Sequence, residues 1–108
     1  MMYNVEYTEK AKADLKALDL SQARQVRKII DRVSNNPLPK SEGGYGNPLG
    51  HKGGTNLTGL LGIKLLKLGI RVVYKLVREG NTMRIIVIAA RADDEVFDVA
   101  EKRLNTGE

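Results

Sequence analysis

The chain has 108 residues, 42% of them apolar, which predicts one domain, residues 1–108, with a single modest core and too little length for two. It has no cysteine and one histidine, His51, so disulfide staples and thiolate metal sites are excluded and a histidine-built metal centre is disfavoured. The net charge of +5 is unevenly placed: residues 1–19 carry −1, residues 20–78 carry +9 and residues 79–108 carry −3. No acid lies between Glu42 and Glu79, a stretch that holds Lys52, Lys64, Lys67, Arg71, Lys75 and Arg78. Sorting of this kind is the electrostatic footprint of a phosphate or nucleic-acid binder, shared with other basic proteins.

Tyr3, Val5 and Tyr7 alternate with polar residues, the period of a strand with one buried face, and the strand is expected to end at Thr8. The period then lengthens. Ala11, Leu15 and Leu18 mark a short helix capped by Thr8, and Ala23, Val26, Ile29, Ile30 and Val33 mark a second, capped by Ser21 and ended by Asn35-Asn36-Pro37. Together they make a helical hairpin.

Residues 36–57 hold all three prolines and six of the eleven glycines, so this stretch is expected to be a long loop, either mobile or part of a binding surface. Beyond it, Gly59 to Lys67, Ile70 to Arg78 and Thr82 to Ala90 read as three strands joined by hairpin-short connections. In the second of them Arg71, Val73 and Lys75 share one face. A last helix is expected from Asp93 to Leu104, with Asp93 or Asp94 as cap and Lys102-Arg103 in its final turn, both favourable to the helix dipole. The predicted class is therefore α+β: an antiparallel sheet of about four strands packed against an N-terminal helical hairpin, with a short C-terminal helix.

Familiar catalytic signatures are absent. His51 stands in a glycine-rich stretch with no serine or cysteine nucleophile paired to it. Gly50-His51-Lys52-Gly53-Gly54-Thr55 has phosphate-loop composition without phosphate-loop spacing. Asp93-Asp94-Glu95 is better explained as helix capping than as a metal site. No cofactor and no metal is implied. The longest purely apolar run, Ile85 to Ala90, is far short of a membrane span, and the expected location is the cytoplasm.

What remains is a cluster of cations: Lys64, Arg71 and Arg91, with Lys67 and Lys75 nearby. It is either a solvated sheet face or a phosphodiester site. Cleaving RNA needs a base for the 2′-hydroxyl, positive charge on the phosphorane oxygens and an acid for the departing 5′-oxygen, and clustered cations can supply all three. Crowding by like charge makes a lysine a better base near neutrality, while arginine keeps its charge and grips phosphate with a planar fork.

Tyr3-Asn4-Val5-Glu6-Tyr7-Thr8, Asn36-Pro37-Leu38-Pro39, Leu68-Gly69-Ile70-Arg71-Val72-Val73-Tyr74 and the run from Val87-Ile88-Ala89-Ala90-Arg91 to Glu95-Val96-Phe97 follow one another in an order that resembles the RelE/ParE superfamily of toxins from toxin–antitoxin pairs, on the RelE side. The third piece is similar to the family's G-[YI]-R-[VL]-V-Y strand. The resemblance implies metal-independent cleavage of mRNA in the ribosomal A site and a cognate antitoxin as partner. By position it implies that Arg71 stabilises the phosphate, that Arg91 protonates the leaving group and that Lys64 contributes base or charge, with Lys52, Lys67 and Lys75 as further RNA contacts. Two positions depart from the family pattern: Gly62 replaces a second lysine and Phe97 replaces an active-site tyrosine. Phe97 can stack on a base or serve as core, but it cannot exchange a proton. The competing readings are a ParE-like inhibitor of DNA gyrase and a nucleic-acid-binding module without chemistry.

Overall fold

A computed structural model of the chain describes residues 3–52, 55–90 and 96–105. In chain order the elements are β1 (Asn4–Tyr7), α1 (Glu9–Ala17), α2 (Leu20–Val33), a 3-10 turn (Lys40–Glu42), β2 (Asn47–Lys52), β3 (Thr55–Leu65), β4 (Ile70–Val77), β5 (Thr82–Ala90) and α3 (Val96–Asn105). The five strands form one sheet in the order β1-β5-β4-β3-β2. β1 runs parallel to β5 and every other pair is antiparallel.

The sheet is thus mixed and has five strands, where about four antiparallel ones were expected. The chain leaves β1 through α1 and α2 and re-enters the sheet at its far edge as β2, and the three antiparallel pairings from β2 to β5 bring β5 back beside β1 in the same direction. The helical hairpin accordingly follows β1 rather than opening the chain. Thr8 fixes that junction: its hydroxyl accepts from the Ala11 amide at 3.1 Å and donates to the Ile85 carbonyl at 3.0 Å, capping α1 and tying it to β5. The second helix begins at Leu20, two residues earlier than a Ser21 cap requires, because the Asp19 carboxylate accepts from the Gln22 amide at 2.8 Å. A carboxylate at this position also meets the positive end of the helix dipole.

The extra strand, β2, lies inside the stretch expected to be a loop. Pro48 has no amide hydrogen to donate, and a proline is tolerated on an edge strand, which is where β2 lies. The pairing slips between Pro48 and Gly50, and Gly50 adopts a φ of +57° that a side chain would resist. Composition alone disfavours a central strand here; it does not forbid a bulged edge. The preceding segment is held by Tyr74, whose buried hydroxyl donates to the Pro37 carbonyl at 2.7 Å.

Alternation along the strands builds two cores. Leu61, Ile63 and Leu65 of β3 with Ile70, Val72 and Tyr74 of β4 pack on one face against Ala11, Leu15, Val26, Ile30 and Val33 of the hairpin. Leu60, Val73, Ile86 and Val87 pack on the other face against Val96 and Ala100 of α3. Each fully buried Val, Leu or Ile side chain among these contributes about 1.5–3 kcal/mol. The second face is the one on which the cations stand.

Candidate phosphate-binding site

The β3–β4 register sets Lys64 directly opposite Arg71, and the β4–β5 register sets Arg71 opposite Ala89. Cross-strand partners of this kind have side chains within reach of one another on the same face, so two cations face each other at the end of the sheet. Ala89 offers only a methyl group beside Arg71, which leaves room for α3 to cross. There the Arg71 guanidinium carbon lies 4.7 Å from the centroid of the Phe97 ring. A guanidinium at this distance from an aromatic ring is held by the ring's negative face, which narrows the directions its N–H fork can take.

Like charges placed opposite on adjacent strands repel. Among the described residues no ion pair involves Lys64, Lys67, Arg71 or Lys75, whereas Arg78, Arg84 and Arg103 are matched with Glu42, Glu6 and Asp14. Lys64 is exposed and Arg71 is half-buried. The arrangement is suited to an anion with several oxygens, bound by a forked guanidinium and a mobile ammonium.

The other expected RNA contacts are spread more widely. Lys67 is exposed in the four-residue turn Leu66–Gly69 that joins β3 to β4, three residues from Lys64. Lys75 shares the Arg71 face four residues further along β4, opposite Leu60 and Arg84, about 13 Å from Arg71 by strand rise. Lys52 ends β2 opposite Thr55. The Thr55 hydroxyl donates to the Asp98 carboxylate of α3 at 2.8 Å, one residue after Phe97, so the β2–β3 end is drawn towards the same helix. Arg91 and the Asp93-Asp94-Glu95 cluster lie outside the described residues. Among the described residues there is no group of three or more metal-ligating side chains, and no helix long and apolar enough to cross a membrane.

The contact between Arg71 and Phe97 carries no signal in the sequence, since the two are 26 positions apart and neither element specifies how α3 crosses the sheet. Of the two roles open to Phe97, the structure shows the one in the core. The half-buried ring packs against the α3-side core and also carries the Arg71 guanidinium on its face.

Two solved structures follow this chain over most of its length. A double arginine-to-alanine variant of the Escherichia coli toxin RelE in the free state superposes with a TM-score of 0.73 at 23% identity, covering 96% of this chain and 99% of that one. The toxin chain of the Mycobacterium tuberculosis RelBE2 toxin–antitoxin complex gives 0.69 at 24% identity, covering 84% and 100%. The chain has the RelE fold. An archaeal RelE–RelB complex from Pyrococcus horikoshii extends the likeness at 18% identity and a TM-score of 0.58, covering 84% and 97%. No protein-family model matches the sequence, and no curated protein does.

Within the RelE fold the glycine at position 62 has a local cause. Gly62 sits in β3 between Asn47 of β2 and Val73 of β4, and a Cβ there would meet Leu49 Cδ2 at 3.0 Å. Leu49 has taken the volume that a side chain at 62 would enter, so the α3-side core extends over this position.

Proposed function

We propose that the protein is the toxin of a toxin–antitoxin pair and acts as an endoribonuclease on mRNA in the ribosomal A site. The observation that carries this reading is the facing pair Lys64 and Arg71, without carboxylate partners among the described residues, with the guanidinium oriented by Phe97. The RelE fold supports it, since the solved chains of that fold named above are toxins.

In the proposed reaction the 2′-oxygen of a nucleotide bonds to the adjacent phosphorus while the bond from phosphorus to the 5′-oxygen breaks. Arg71 holds the non-bridging oxygens, on which negative charge grows in the transition state. Lys64 contributes charge or accepts the 2′-hydroxyl proton, and Lys67 on the neighbouring turn is the alternative acceptor. Arg91, the residue after β5, gives a proton to the departing 5′-oxygen. The ring of Phe97 stacks on a base through the face that Arg71 leaves open. Lys52 and Lys75 contact the flanking backbone.

A cognate antitoxin is the proposed partner, because the RelE-fold chain from M. tuberculosis is found in a toxin–antitoxin complex and the one from P. horikoshii in a complex with RelB. An acidic segment laid over the basic face would silence the toxin by the same charge that binds RNA.

The test is to map mRNA 5′ ends in a translating extract with and without the protein, beside Arg71→Ala and Arg91→Ala. New ends inside translated codons that disappear with both variants are expected. Intact mRNA would remove the nuclease reading and direct attention to gyrase supercoiling.

A further inference from the structure

Lys64 belongs to a second feature. β2 pairs with β3 only as far as Asn47 opposite Gly62, so from Ile63 onwards β3 is not covered by β2. Beside this open edge, α2 and the segment around the 3-10 turn enclose a cavity of about 410 Å³. Arg32, Lys40 and Lys64 bring three cations to its lining, and no acid among the described residues lines it. Tyr45 and Leu66 also line it and are the conspicuous apolar side chains of this surface, 56% and 68% exposed, while buried Ile63 gives it an apolar wall.

An exposed aromatic ring among unopposed cations suits one class of ligand above others. Single-stranded RNA offers flat bases for the ring and a phosphate for each cation, and the three cations with no opposing acid give the charge complementarity. We infer that this groove binds the stretch of single-stranded RNA that flanks the reacting phosphate, with one base stacked on Tyr45 and its neighbouring phosphates on Arg32 and Lys40. Lys64 joins the groove to the site opposite Arg71, so one strand can occupy both. This inference rests on the RNA-cleaving reading of that site and adds to it a subsite on the far side of the β3 edge.

The test is equilibrium binding of the full chain to two uncleavable 2′-O-methyl RNAs, a tetramer and a decamer, by fluorescence anisotropy. Tyr45→Ala is expected to weaken the decamer roughly 5- to 150-fold, the scale of losing one base stacked on an aromatic ring, and the tetramer by less than about twofold. Tyr45→Phe is expected to bind like the wild type. Lys40→Gln is expected to lower the salt slope for the decamer by about 0.7, the value for one phosphate on a single strand. Unchanged decamer binding by Tyr45→Ala overturns the subsite, as does absence of decamer binding by the wild type at low salt. A loss confined to a polyglutamate peptide, with RNA binding kept, also overturns it in favour of an acidic protein segment. Arg71→Ala separates the two claims: if it leaves both RNAs bound while Tyr45→Ala weakens only the decamer, the groove stands and the assignment of the reacting site fails.

Discussion

Asp14 of α1 and Arg103 of α3 meet across the edge of β5 that β1 leaves open. β1 pairs with β5 only up to Ile85, and beyond it the Asp14 carboxylate accepts from the Ile88 amide at 3.0 Å while Arg103 donates to the Ile86 carbonyl at 2.7 Å and to Asp14 at 2.7 Å. An uncovered strand edge invites pairing with other chains, and here one ion pair satisfies its polar groups and ties the two sides of the sheet together. Both side chains are largely withdrawn from water, at 14% and 20% exposure. Asp14→Ala is therefore expected to cost about 2–3 kcal/mol in urea denaturation, somewhat below the penalty for breaking a fully buried pair. A loss under about 0.5 kcal/mol, the range of ordinary surface substitutions, would show that α3 does not depend on this link.

Phe97 is expected to act on cleavage through Arg71. Phe97→Leu keeps an apolar side chain on the core but removes the ring face, and should slow cleavage roughly fivefold, the equivalent of about 1 kcal/mol for a cation held on an aromatic ring. Phe97→Tyr keeps the face and should retain at least the wild-type rate. Equal rates for all three proteins in single-turnover cleavage would mean that the ring does not orient Arg71.

Tyr74 anchors the segment that ends in the Tyr45 groove. Tyr74→Phe leaves the buried Pro37 carbonyl without its donor and should cost about 1–3 kcal/mol. Burial pushes the Tyr74 hydroxyl well above the ordinary phenol value of 10.0. Because the folded state raises this pKa, the contribution of the neutral phenol is complete below pH 10 and is lost as pH rises beyond it towards the folded value. The stability gap between wild type and Tyr74→Phe should therefore narrow above that pH, and a constant gap would contradict the assignment.

Gly46 provides a cross-check on the same contact. A Cβ at this position would run into the Tyr74 hydroxyl, so Gly46→Ala should cost about 1–3 kcal/mol as overpacking. In the Tyr74→Phe background the obstructing oxygen is gone, and the penalty should shrink. Additive costs in the double-mutant cycle would place the strain elsewhere.

Much of this architecture is legible in the sequence because it is local. β5 spans Thr82 to Ala90 as its apolar run predicts, Thr8 caps α1, and Arg71 and Lys75 share a face as alternation requires. What sequence does not carry is placement across the sheet. Lys64 faces Arg71 only because the turn between their strands takes four residues, and a one-residue slip would send Lys64 to the hairpin face. β2 is hidden by its prolines and glycines, which mark an edge and a bulge as well as a loop. Asp14 and Arg103 are 89 positions apart and read separately as ordinary helix-surface charges.

The most direct test of the account is single-turnover cleavage of mRNA on programmed ribosomes by wild type, Lys64→Ala, Arg71→Ala and the double variant. Each single change is expected to lower the rate by roughly 10²- to 10⁴-fold, the scale of acid–base and electrostatic contributions. The double variant should lose much less than the product of the two, because the facing residues act on one phosphate. Full cleavage by Arg71→Ala, with its fold intact, would contradict the central claim that the Lys64–Arg71 face is where the phosphodiester reacts.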